Sequence, residues 1–466
     1  MRSTRRHSPR RNFAVAAFVL ACVVVPSAPG ITAADPPNMM GIPQQVPDAI
    51  DHVVPAPPFP HLSRIPLRAQ SPGLSWRTQE LREATLPTPT GDPMFDRWPS
   101  NLGSLRPGTV IATRDVTASA APVVTAPIAS ATLIKFRSTD AVGTPSFGTA
   151  TLITPTASAP VRGPRPILVN NLPIDSLGTA CNPGYTLAHG FSIASGVTDL
   201  LPPTTQLALA HGYGVLIPDH QGPRMAYAEP VVAGHVVLDS IRAASNLEPK
   251  MFGHSAIAMS GYSGGSIATA GAAKLLAGYA PELAPRVVGA ALGGVPADFR
   301  MLVGSMNANL ATGLFHAATF GIARERPEIL TMANNPAQWI ASSPLKNVCV
   351  IPEALAGATF MPMQLMANVG DPFHSPVAEH VYRVTQMSDT RSVVPLYIYN
   401  GAQEWWIPAA GARSLFVEQC RLGANAQYRE VLGEHLTAAV IGFPDAMSWL
   451  DARLRGSPAR GGCPRR

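Results

Sequence analysis

The stretch Gly261-Tyr262-Ser263-Gly264-Gly265 constrains this chain more than any other. A short apolar run, 257–259, precedes it, and a run of small, helix-compatible residues, 266–276, follows it. A strand that turns straight into a helix is sterically crowded, so the positions beside the turn must be small. Gly261, Gly264 and Gly265 meet that need. Such a turn lifts the Ser263 hydroxyl above the end of a sheet and sets it at a helix N-terminus, as in a nucleophile elbow. Gly-x-Ser-x-Gly alone is a weak signal in a chain rich in both residues; the flanking strand and helix give it weight.

The surrounding sequence supports a sheet of that kind. Apolar, β-branched runs at 131–136, 149–153, 166–169, 213–217, 286–292 and 394–399 read as strands, with a further candidate at 427–432. Helical stretches lie between them at 200–211, 231–246 and 266–278. Short buried strands alternating with helices imply an α/β fold: a mainly parallel sheet with helices on both faces. In such sheets the site lies at the carboxyl ends of the strands. The core is expected in two parts, 91–296 and 366–466. Residues 297–365 interrupt the alternation with Met301, Met306, Leu310, Leu314, Phe315, Phe320 and Trp339 and no clear strand, which reads as an inserted helical cap or lid.

A serine hydroxyl becomes a nucleophile only when a neighbouring base takes its proton. In this architecture the chain order is serine, acid, histidine. His435, in Gly433-Glu434-His435, is the last histidine of the chain and follows the late candidate strand. Glu404, a few residues past the 394–399 strand, is the expected acid, with Asp371 as its rival and Asp389 and Asp445 as remoter choices. Two backbone donors are needed where the oxyanion develops. The residue after the nucleophile, Gly264, supplies one, and the loop 170–176 supplies the other, with Asp175 as the candidate.

The chain has 466 residues, 46% of them hydrophobic and only 14% charged. Its longest apolar run, 13–25, follows five arginines and precedes the small residues Thr32-Ala33-Ala34. That is the layout of a signal peptide, 1–34, and it is short of the roughly 20 residues that span a bilayer. The formal net charge is +6, and the first 34 residues carry five arginines and no acid, leaving about +1 for the rest. The basic balance therefore belongs mostly to the leader, and no nucleic-acid partner is expected. Residues 35–90, dense in proline, read as an extended arm. Beyond Cys22 in the leader there are four cysteines, Cys181, Cys349, Cys420 and Cys463. An even count in an exported chain suggests two disulfides, with three pairings open. Neither the cysteines nor the twelve histidines have metal-ligand spacing. No metal or organic cofactor is expected, and a monomer, secreted or held at the cell envelope, is.

Several blocks occur in one order: Asp92-Pro93-Met94-Phe95, Asp175-Ser176 with Cys181-Asn182-Pro183, Pro218-Asp219-His220-Gln221-Gly222-Pro223, the Ser263 elbow, Tyr399-Asn400-Gly401 and Gly433-Glu434-His435. Together, from about 92 to 463, they resemble the secretory lipase family of the Candida antarctica lipase A type, within the α/β-hydrolases. The resemblance implies a lipid or ester substrate, a helical lid, and contact with a lipid interface. It supports Ser263, His435 and the Asp175 amide, and it implies the pairings Cys181–Cys349 and Cys420–Cys463. In one respect the chain departs from the family, which usually has aspartate where Glu404 stands. The expected function is ester hydrolysis through an acyl-enzyme on Ser263. The alternatives are acyl transfer from the same intermediate, and a lipid-binding protein without catalysis.

Overall fold

The computed structural model describes residues 39–159, 161–192 and 203–464. The expected signal segment and Cys22 lie outside the described residues, as does the start of the helix expected at 200–211.

A nine-stranded sheet in the order β1-β2-β3-β5-β4-β6-β7-β8-β9 forms the centre. The strands are β1 Val110–Asp115, β2 Ile128–Thr139, β3 Pro145–Pro155, β4 Ile167–Asn171, β5 Gly214–Pro218, β6 Ile257–Tyr262, β7 Val287–Gly293, β8 Leu396–Gly401 and β9 Ala426–Val431. β1, β2 and β3 pair antiparallel, β3 joins β5 antiparallel, and the strands from β5 to β9 are all parallel. β4 and β5 are buried at every residue, so each alternate side chain must find an apolar layer. Ile167 and Val169 enter one cluster with Val236 and Ala272. Leu168 enters the opposite cluster with Leu209 and Leu450. Helices therefore cover both faces, as the alternation predicts.

β1 has no counterpart among the sequence-based expectations. It is a half-exposed edge strand whose second half is Thr113, Arg114 and Asp115, so it carries no apolar run to betray it. The extended arm expected at 35–90 is corrected. Helices Gln45–Val53 and Trp76–Thr85 lie there. The second contains no proline, and Ser75 caps it by accepting from the Thr78 amide. The described prolines fall in the connections or, for Pro47, in a first turn, where a missing N–H costs little. Leu81 from this segment packs with Ala323 and Leu330.

β4 is the point where the chain order reverses: β5 lies on one side of it and β6 on the other. The crevice above the carboxyl ends of β4 and β6 is the expected ligand position in such a sheet. A layer of helices covers it. Between β7 and β8 the chain adds no strand to the sheet and forms helices Phe299–Met306, Thr312–Glu325, Asn335–Ser342 and Val350–Ala356. The layer continues past residue 365 through Pro376–Gln386.

Candidate active site

Ser263 stands between β6 and helix Gly264–Tyr279 with φ +53° and ψ −125°. A non-glycine residue held there is strained and persists because its surroundings impose it. The Ser263 amide donates to the Gly293 carbonyl (2.9 Å), which anchors the turn to β7. Close approach explains the glycines. A Cβ on Gly265 would lie 1.9 Å from the Asn171 carbonyl oxygen, and one on Gly264 would lie 1.6 Å from Asp175 Oδ1.

His435 is the first residue of helix His435–Leu454, whose N-terminus is capped by the Glu434 carboxylate accepting from the Leu436 and Thr437 amides. Pro444 lies within this helix. His435 Nε2 is 2.9 Å from Ser263 Oγ. Its Nδ1 is 2.7 Å from Glu404 Oε2. The His435 and Glu404 side chains are 3% and 0% exposed, so their attraction is little screened by water. Glu404 Oε1 also accepts from the Trp406 and Ile407 amides, which holds the carboxylate within its own loop. The three other acids lie elsewhere. Asp371 is exposed and pairs with His374 (2.9 Å), Asp389 pairs with Arg421, and Asp445 pairs with Arg429 (2.5 Å).

Asp175 follows β4 with φ +42°, a conformation that aspartate tolerates better than most residues. Burial pushes its carboxyl up to about 7; the His435 charge and the nearby amides of Gly264 and Asp175 itself pull the other way. Asp175 Oδ1 is buried and, among the described residues, meets no donor with hydrogen-bond geometry.

Two contacts around His435 were not anticipated. Tyr262, beside the nucleophile, donates from its hydroxyl to the His435 carbonyl (2.5 Å). Trp406 sets its ring edge-on to the imidazole, with centroids 4.5 Å apart, and Trp405 stacks on Trp406. The unusual Trp-Trp pair was the only sequence signal for the second contact.

A cavity of about 400 Å³ opens onto Ser263, Asp175, Gly264 and His435. Its far walls are apolar side chains of the helical layer, among them Leu302, Phe315, Leu330, Phe373 and Val381. The Cys181–Cys349 disulfide joins the segment after β4 to this layer, and Cys420–Cys463 closes the C-terminal region. Among the described residues, no group of three or more His, Cys, Asp and Glu is placed to hold a metal ion.

A parallel sheet that presents a serine on a strand-to-helix turn and receives its histidine and acid from later loops defines an α/β-hydrolase. Similarity to known proteins narrows the class. The family described as secretory lipase matches residues 199–462, and the chain belongs to that family of carboxylic ester hydrolases. Lipase 1 of Candida albicans is 30% identical over 68% of this chain and 71% of its own length. A probable inactive lipase of Mycobacterium tuberculosis is 28% identical over 82% of this chain and 86% of its own. The crystal structure of Candida antarctica lipase A in its closed state superposes with a TM-score of 0.73 at 25% identity, covering 81% of this chain and 89% of that one.

Proposed function

We propose that the protein is an exported serine hydrolase that cleaves lipid esters through an acyl-enzyme on Ser263. The observation that carries this reading is the continuous hydrogen-bonded line from Ser263 Oγ through His435 to Glu404, facing an apolar cavity. One relative is named a probable inactive lipase. The reading for this chain rests on its own side chains.

In the proposed cycle Ser263 Oγ attacks the ester carbonyl while His435 Nε2 takes its proton. The Gly264 and Asp175 amides hold the oxyanion, and Glu404 stabilises the imidazolium. His435 then protonates the leaving alcohol as the tetrahedral adduct collapses to the acyl-enzyme. Water, deprotonated by His435, releases the acid and restores Ser263.

The apolar walls suit an acyl chain, and the cavity rim suits a lipid surface. Leu436 lines the cavity yet is 56% exposed, and Val440, one turn along the same helix, is 53% exposed. Removal of residues 1–34 on export, and a monomeric state, complete the reading. No helix among the described residues is long and apolar enough to cross a membrane.

The test assays the chain from Asp35 onward beside Ser263→Ala on nitrophenyl esters of increasing acyl length. Turnover by the first and not the second is expected, and the length profile separates esterase from lipase. Equal activity in both would remove Ser263 from the mechanism, and equal inactivity would favour a lipid-binding role.

A further inference from the structure

Arg324 is a buried cation in the last turn of helix Thr312–Glu325, and among the described residues its side chain reaches no carboxylate within hydrogen-bond distance. It is 1% exposed. Its guanidinium donates to five backbone carbonyls instead: Thr85 (3.1 Å), Leu177 (2.7 Å), Arg224 (3.1 Å), Met225 (3.0 Å) and Lys346 (2.8 Å). Its own carbonyl accepts from Arg82 Nε (2.9 Å) and Nη2 (2.5 Å). Burial lowers the guanidinium to about 9; Glu353 opposes this only when charged, a form that its own burial disfavours. Carbonyl oxygens compensate a buried charge less well than a carboxylate does, so such a shell is costly unless the segments it joins need holding.

Leu177 is the segment that matters for chemistry, since it lies two residues after Asp175. The backbone there is gripped from the other side as well. The Leu177 amide donates to the Val348 carbonyl (2.9 Å), and the Val350 amide donates to Ser176 Oγ (3.0 Å). Gln221 Nε2 donates to the Ser176 carbonyl (3.2 Å), and Cys181 is bonded to Cys349. Asp175, at φ +42°, needs such restraint, because a strained residue relaxes when its surroundings allow it.

We infer that Arg324 is a positioning residue for the oxyanion site: it holds the Leu177 carbonyl so that the Asp175 amide stays aimed at the reacting carbonyl. The inference rests on the acyl-enzyme reading above. It makes the helical layer part of the catalytic geometry as well as a cover, and it joins the N-terminal helix Trp76–Thr85 to the same task through Arg82 and Thr85.

The test compares Arg324→Gln, Arg324→Lys and, as a control, Arg326→Gln. Arg326 is equally close to the helix end but pairs with Glu229 (2.9 Å) and touches no part of the oxyanion loop. Each variant is titrated for folded protein. Its kcat and KM on a nitrophenyl ester are measured, with its rate of inactivation by a phosphonate ester, whose bound oxygen mimics the oxyanion. Displacing one donor by about 1 Å costs on the order of 10- to 100-fold in rate. Arg324→Gln is expected to lose about that much in both kcat and inactivation rate, with KM within about threefold. Arg324→Lys, which keeps the charge and fewer donors, recovers part of both, and supplies the measurement alone if Arg324→Gln does not fold. Arg326→Gln loses thermal stability and keeps both rates. Arg324 variants that match Arg326→Gln, less stable but with wild-type rates per folded molecule, would overturn the inference. A wild-type protein inert to the phosphonate would fell the Ser263 reading first, and the inference with it.

Discussion

Glu404 shows how much one methylene matters at a fully buried contact. Its carboxylate meets His435 Nδ1 at 2.7 Å with no solvent exposure, so neither water nor a neighbour can replace it. Glu404→Gln removes the charge that balances the imidazolium, and a loss in kcat of roughly 10³- to 10⁴-fold is expected. Glu404→Asp keeps the charge and withdraws it, for an expected loss of about 100-fold. Steady-state kinetics on a soluble ester checks both; wild-type kcat in Glu404→Gln would show that another acid serves His435. A second residue-scale effect concerns stability. Burial pushes the Asp219 carboxyl, which accepts from Thr149 and from the Gly184 amide, up to about 7 from an ordinary 3.8. Between pH 4 and 7 the folded state then holds a proton that the unfolded state has released. Stability is therefore lost as pH rises through that window, by up to about 1.4 kcal/mol per pH unit for one group, and levels off above it. Asp175 contributes with the same sign. Asp219→Asn should remove its share of that slope, leaving a shallower fall in unfolding free energy between pH 4 and 7; an unchanged slope would mean that Asp219 ionises normally.

At the scale of elements, helix His435–Leu454 carries two proposed jobs. Its first residue is the proposed base, and the exposed apolar positions Leu436, Val440 and Ile441 follow on the same helix. A lipid surface that received these residues would bring its esters to the mouth of the cavity. Val440 does not line the cavity, so it separates the two jobs. Burying a valine contributes about 1.5 kcal/mol, or roughly tenfold in partition. Val440→Asp should therefore cut turnover of emulsified esters about tenfold or more while leaving a dissolved short-chain ester near wild type. Equal loss on both substrates would assign Val440 to folding. The elbow between β6 and helix Gly264–Tyr279 was legible because its constraint is local: a turn this tight needs small residues at positions 261, 264 and 265. β1 was not legible, because an edge strand with one solvated side needs no apolar run. Helix Trp76–Thr85 was hidden by the prolines on either side of it, though its own ten residues contain none.

Across the whole molecule, the two disulfides are expected to act differently. Cys420–Cys463 spans 43 residues, and neither cysteine lines the cavity that holds Ser263. By loop entropy its removal in Cys420→Ser/Cys463→Ser should cost about 4 kcal/mol in unfolding free energy, with kcat unchanged. Cys181–Cys349 spans 168 residues and ties down the segment after β4 that is proposed to hold the oxyanion. Cys181→Ser/Cys349→Ser should lose stability by about 5 kcal/mol and lower kcat as well. Denaturant titration with parallel kinetics distinguishes them; equal kcat in both variants would show that Cys181–Cys349 only staples the fold.

What the sequence by itself determined is what depends on near neighbours along the chain. The strand–Gly-x-Ser-Gly-Gly–helix turn and the alternation of strands and helices are of that kind, and the even number of cysteines after residue 34 is read from the chain alone. His435 was legible as well, because the order of the triad along the chain leaves the base to a late loop. Distances through space were left to the tertiary structure. Ser263 and His435 are 172 residues apart in the chain and 2.9 Å apart in space, and Arg324 reaches back 239 residues to the Thr85 carbonyl. Which carboxylate meets His435, which helices wall the cavity, and which backbone carbonyls the buried Arg324 reaches follow from how the sheet and its covering layer pack. Periodicity and local propensity reveal which face of an element is buried, but not which distant segment will be buried against it.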